Sequence, residues 1–238
     1  LVRSRGLGDV YKRQIMNLLE KFNILPKDRH LYDVAFTHGS YGTKHGLDYT
    51  YERLEFLGDS VLNMIVSEYL YKQYPDYEEG KLTKLRANYV CQTALIYYSH
   101  ELGLDKHIKI YGDDSKITEN EVLSITADVF ESFLGAIFLD QGIEFAKDYI
   151  SKIIFPYIDA KKVFFFDYKS VIKEYGDAQE VDIEYKIIDE CGVPHNKTFI
   201  ISILIDGKEM GVGKGKNKKE AEQAASKQAM KKLKIQKY

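Results

Sequence analysis

Acidic residues recur at helical spacing in two separate stretches of this 238-residue chain. Glu52, Glu55 and Asp59 stand at i, i+3 and i+7 within Glu-Arg-Leu-Glu-Phe-Leu-Gly-Asp-Ser-Val-Leu, residues 52–62. At ~100° per residue they fall within about 60° of one another on a helix, and Leu54, Leu57, Val61 and Ile65 fall opposite as a core stripe. Clustered carboxylates repel one another unless protons or cations intervene. Oxygen ligands of this kind suit a divalent metal. The plainer alternative, a solvated acidic face, stays open on these three residues alone. Arg53 is the adjacent basic residue, and Phe56 lies on the flank of the acid face, where an exposed aromatic marks a partner surface.

Asp128 and Glu131 form a second pair, at i and i+3, in the strongly apolar stretch 121–140. Val129, Phe130, Phe133, Leu134 and Ile137 are available there for burial, and Ser124 and Gly135 are small neighbours that admit a close approach. An apolar helix rarely carries two acids without compensation. If the two helices pack side by side, Glu55, Asp59, Asp128 and Glu131 converge on one cation cluster.

These residues carry a family resemblance. Residues 51–62 resemble the signature helix of ribonuclease III, and Ala127-Asp128-Val129-Phe130-Glu131 resembles that family's second acidic segment. Thr37-His38-Gly39-Ser40 resembles its Thr-His-Arg-Ser segment, with Gly39 in place of Arg, and residues 78–86 resemble the stretch that follows. The resemblance runs from about Met16 to the C-terminus. It implies an all-α nuclease domain with Glu55, Asp59, Asp128 and Glu131 as the metal-binding catalytic set. Glu131 is the one tied most directly to cleavage. Glu52 and Glu79 take supporting roles, with Glu78 the alternative match for Glu79. The implied cofactor is Mg²⁺, two ions per active site, with Mn²⁺ as a substitute. The implied reaction is two-metal hydrolysis of double-stranded RNA. Its products carry 5′-phosphates, 3′-hydroxyls and short 3′ overhangs, and ribosomal-RNA precursors and structured messages are the implied substrates. No internal repeat supplies a second set of acids, so cutting both strands implies a twofold homodimer, with Phe56 at its interface.

Charge divides the chain in the same way. Residues 15–160 carry a net −9, and residues 161–238 carry +4. An acidic cation-collecting body joined to a basic tail suits a polyanionic partner. No apolar run reaches the ~18 residues of a membrane span, so no membrane partner is expected. Cys91 and Cys191 match no metal spacing and read as free thiols of a reducing cytoplasm.

Helical periodicity recurs near 16–23, 28–37, 51–73, 79–101, 121–140 and 143–156, with loops near 42–48 and 102–119. The period then changes. Residues 168–175 read as a helix, and 181–188, 197–205 and 209–212 as strands with an Asp206-Gly207 hairpin turn. A glycine-lysine loop and a helix over 217–233 follow. This α-β-β-β-α order, with its basic last helix, resembles a double-stranded-RNA-binding domain. Lys218 and Lys219 stand at a helix N-terminus, where backbone N–H groups also favour phosphate. The resemblance adds Lys216 there, makes Ser170 and Glu174 first-helix contacts, and places His195 in a minor groove. Lys173 stands where the family often has Gln. The expected organisation is therefore a scar or disordered arm over 1–14, an all-α catalytic domain over 15–158, a linker over 159–166 and a small α+β domain over 167–238. At least one of Phe164, Phe165 and Phe166 is expected to dock on a domain. A non-catalytic duplex-RNA binder is the competing class, and Mg²⁺-dependent cleavage separates the two.

Overall fold

A computed structural model describes residues 2–112, 118–192 and 197–235. Backbone packing divides the chain after Phe165 into two units.

In the first unit the apolar stretches form α1 (Val2–Lys21), α2 (Arg29–Ala35), α3 (Gly39–His45), α4 (Glu52–Gln73), α5 (Glu79–Val90), α6 (Gln92–Leu102), α7 (Glu119–Gln141), α8 (Ile143–Ile153) and α9 (Phe155–Asp159). The middle of this unit is α7, against which α2, α4, α6 and α8 pack. It is apolar and long enough to cross a membrane, but Val129, Phe130, Phe133, Leu134 and Ile137 are fully buried in the unit's core. Each such side chain contributes about 1.5–3 kcal/mol on burial. Thr118 starts the helix with a reciprocal cap: its Oγ1 accepts from Glu121 N, and Glu121 Oε2 accepts from Thr118 N. At the other end Asp140 accepts from Lys27 N, Asp28 N and the Tyr32 hydroxyl, which anchors α7 to the start of α2. A buried carboxylate satisfied in this way is an anchor without an unpaired charge.

Three local outcomes differ from the sequence reading. Residues 2–14, within the stretch 1–14 expected to be a scar or a disordered arm, are helical as the first part of α1, and the Tyr11 hydroxyl donates to His107 O. The expected loop at 42–48 begins inside α3, which His38 caps through Nδ1 and Gly46 ends with φ of 63°. The single helix expected over 79–101 is two helices meeting at Cys91, whose extended backbone (φ −72°, ψ 157°) caps α6. That break lets both Tyr89 and Tyr98 turn inward, where the Tyr98 hydroxyl donates to Tyr89 O.

The second unit contains α10 (Tyr168–Gln179), β1 (Ile183–Cys191), β2 (Thr198–Ile205), β3 (Lys208–Gly215) and α11 (Lys218–Lys232). Its strands form an antiparallel sheet in the order β1-β2-β3. Asp206 and Gly207 both take positive φ, 47° and 74°, as a two-residue hairpin turn of matching twist requires. Ile172, Ile203, Ala225, Ala229 and Met230 fill the core. The third strand runs to Gly215, taking in residues expected to form a loop. Gly211, Gly213 and Gly215 face α11 so closely that a Cβ on Gly213 would lie 2.0 Å from Ala221 O. The glycines therefore mark close helix–strand packing, with alanines on the helix side. Of the phenylalanine run, Phe164 packs on the first unit's core and Phe166 on the second's.

Candidate active site

Two glycines set the geometry of the acids. A Cβ on Gly58 would lie 1.8 Å from Glu131 O, and one on Gly135 would lie 2.3 Å from Leu54 O. α4 and α7 therefore cross backbone to backbone, one turn from Glu55 on the first helix and beside Glu131 on the second. Side chains that flank such a crossing are forced together. Ligand atoms of Glu55, Asp128 and Glu131 all lie within 4.8 Å of one another.

Burial and mutual repulsion hold protons on this group. The Glu131 carboxyl is pushed up to about 8 by burial first, then by Asp59, Glu55 and Asp128. Glu55 is pushed up to about 7 by burial, then by Asp128, Glu52 and Asp59. Burial also raises Asp128, against a hydrogen bond that the Tyr51 hydroxyl donates to its Oδ2 at 3.0 Å. Three half-buried oxygen donors that resist ionising together, with no Lys or Arg paired to them among the described residues, fit a hard divalent cation.

The other expected acids stand differently. Asp59 is exposed and accepts from Asn63 Nδ2 at 2.7 Å, although its charge reaches both Glu131 and Glu55. Glu52 is exposed and accepts from the Thr50 hydroxyl, and a Cβ on Gly39 would lie 3.0 Å from its Oε1. Glu79, at the start of α5, accepts from Thr83 Oγ1 and lines a separate cleft with Tyr71, Tyr77 and Arg86. This chain does not bring it to the three clustered carboxylates. Phe56 is 78% exposed on α4.

Sequence reasoning did not single out Tyr51, Asn63 or the packing role of Gly58. A glycine between Glu55 and Asp59 was the available signal for the last. Tyr51 carried none, because its partner is 77 residues away.

In the second unit, Asn217 caps α11 by accepting from Glu220 N, which leaves Lys216, Lys218 and Lys219 exposed around the helix N-terminus. Ser170 lies in the first turn of α10, where its N–H and hydroxyl both donate to the cap residue Asp167. Glu174 and Lys173 are exposed one turn on. His195 lies outside the described residues.

A helical body with clustered oxygen ligands, followed by an α-β-β-β-α unit with lysines at a helix start, defines a nuclease joined to a duplex-RNA-binding domain. Residues 28–158 match the family described as Ribonuclease-III-like, and residues 168–233 match the double-stranded RNA binding motif. Ribonuclease 3 of Latilactobacillus sakei is 41% identical over 225 residues, which cover 92% of this chain and 97% of that protein. Ribonuclease 3 of Anoxybacillus flavithermus is 43% identical over 221 residues, covering 90% and 92%. A solved nuclease domain of ribonuclease III from Campylobacter jejuni superposes with a TM-score of 0.53 at 36% identity, over 58% of this chain and 93% of that one. The chain belongs to the ribonuclease III family, and double-stranded RNA is its partner.

Proposed function

We propose that this chain is an endoribonuclease that hydrolyses both strands of an RNA duplex with Mg²⁺ as cofactor. Convergence of Glu55, Asp128 and Glu131 at a backbone crossing is the observation that carries this reading. With Asp59 beside them, these carboxylates would hold two divalent ions. Mn²⁺, with the same preference for oxygen donors, would substitute. Bound there, the ions supply neutralisation of the phosphate oxygens and a water of lowered pKa. The chain's own contribution is preorganisation. The glycine crossing fixes the distance between the acids, and burial keeps Glu131 in a poorly hydrated position where it gains most from a cation. Glu52 and Glu79 act in support, outside the cluster. Products with 5′-phosphates, 3′-hydroxyls and short 3′ overhangs follow from two offset sites, one per strand.

The second site would come from a second copy. The outer face of α4 exposes Phe56, Met64 and Tyr71, an apolar strip suited to a twofold interface. The Campylobacter jejuni domain is described as having a region involved in dimer formation, which supports the same arrangement here. Lys216, Lys218 and Lys219 would meet phosphates across a major groove, with Ser170, Glu174 and His195 at the flanking minor grooves. Processing of ribosomal-RNA precursors and structured messages in the cytoplasm is the fitting role.

A long perfect RNA duplex incubated with wild type and Glu131→Ala, each with and without Mg²⁺, tests this. Discrete double cuts with 5′-phosphate ends, made by wild type with Mg²⁺ and by no other combination, are expected. Binding by both proteins with no cleavage under any condition would overturn the catalytic reading in favour of a duplex-RNA binder.

A further inference from the structure

Resting on the metal-centre reading, we propose that Tyr51 is a positioning residue whose hydroxyl orients the Asp128 carboxylate toward Glu55 and Glu131. The Tyr51 side chain is almost wholly buried, and its hydroxyl reaches Asp128 Oδ2 at 3.0 Å across 77 residues of sequence. Its backbone is held just as firmly. Tyr51 N donates to Thr37 O at 2.9 Å, and Tyr51 O accepts from Leu54 N and Glu55 N at 2.8 and 2.9 Å. One residue thus opens the helical turn that carries Glu55 and at the same time grips the acid supplied by α7. The His38 ring packs against the Tyr51 ring at 5.7 Å between centroids and is itself fixed by its cap on Ser40.

The chemistry of the donor matters. A carboxylate beside two others is driven toward solvent by repulsion, so something must hold it in place. A lysine or arginine would hold it by cancelling the charge that a cation needs. A phenol holds one oxygen through a neutral hydrogen bond and leaves the charge in place. Among the described residues Glu55 and Glu131 accept no hydrogen bond, so Asp128 is the cluster member with a preset orientation. Groups that orient a metal ligand in this way typically change metal affinity by about 10–100-fold when removed.

The test is calorimetric titration of the full chain with Mn²⁺ alone, alongside cleavage of a duplex at varied Mn²⁺. Tyr51→Phe keeps the ring and removes the donor. It is expected to weaken Mn²⁺ binding by roughly tenfold or more and to raise the half-saturating Mn²⁺ for cleavage by the same factor. The KM for RNA should stay unchanged. Unchanged Mn²⁺ affinity in a folded Tyr51→Phe overturns the proposal. Asp128→Ala, with and without Tyr51→Phe, is the second arm. These two must bind Mn²⁺ equally, because the side-chain oxygens that Tyr51 orients are gone. A further loss from Tyr51→Phe in that background would show a merely structural role and also overturn the proposal. Wild type that binds Mn²⁺ no better than Glu131→Ala would instead overturn the metal-centre reading itself, which keeps the two failures apart.

Discussion

Gly58→Ala should separate the two acidic helices. The added Cβ would stand 1.8 Å from Glu131 O, 2.6 Å from Glu131 C and 3.0 Å from Gly135 N, all of them backbone atoms of α7. Backbone cannot swing aside as a side-chain tip can. Ordinary contact begins near 3.4 Å, so the helices must part by about 1.6 Å at the crossing. Overpacking of a close-packed core costs about 1–3 kcal/mol, and a rigid backbone contact belongs at the upper end. The same displacement widens the gap between Glu55 and Glu131. Misplacing reacting groups by about 1 Å can cost on the order of 10²-fold in rate. Urea unfolding reads the first effect, and single-turnover duplex cleavage at saturating Mg²⁺ reads the second, at a temperature where circular dichroism shows the variant folded. Duplex affinity should hold, since the RNA-binding unit is untouched. Gly80→Ala is the control: it lies in α5 at ordinary helical φ with nothing within 4 Å of its new Cβ, and alanine there should stabilise by about 0.5–1 kcal/mol. If Gly58→Ala leaves the unfolding free energy unchanged and the cleavage rate within about twofold of wild type, the close crossing does not set the site geometry.

Metal-free protein should lose stability as pH rises. Glu131 and Glu55 are raised in the folded state to about 8 and about 7, so the folded chain binds more protons than the unfolded one between their ordinary value near 4.5 and those values. Unfolding free energy therefore falls across pH 5–8 and is regained when Mg²⁺ is added. Melting in chelator at stepped pH should show this fall in wild type and a flatter profile in Glu131→Gln; parallel profiles would refute the assignment. In the second unit, Lys218→Ala with Lys219→Ala should weaken duplex binding evenly across sequences and lower the salt slope by about 1–2. A filter-binding series in rising salt checks this, and an unchanged slope would remove that helix end from the interface.

Much of this architecture is written locally. Glu55 and Asp59 declare themselves by spacing on one helix, Asp128 and Glu131 by acidity in an apolar run, and the second unit by the change of period after Asp167. The features that escape a local reading depend on partners distant in sequence. No glycine or proline marks the break at Cys91; with it, Tyr89 and Tyr98, which a continuous helix would place on opposite faces, are both buried. β3 runs through glycines because α11 lies against them, and a strand with no side chains on one face has no periodicity to read. The helical spacing of Glu52, Glu55 and Asp59 shows which residues share a face but not how deep each one sits. Glu55 therefore joins the cluster while Asp59 turns to Asn63 and Glu52 to Thr50.

The glycine–alanine contact between β3 and α11 bears on the thermodynamics of recognition. Side-chain cores permit small shifts because rotamers can readjust, and a surface mounted on them loses that freedom when a ligand arrives. Where Gly213 meets Ala221 and Ala225 through backbone atoms, there are no rotamers to readjust. The helix start that displays Lys218 and Lys219 is therefore fixed relative to the sheet before any RNA is present. Binding at that end then costs little ordering entropy in the protein scaffold, and the lysine side chains themselves are the parts that become ordered.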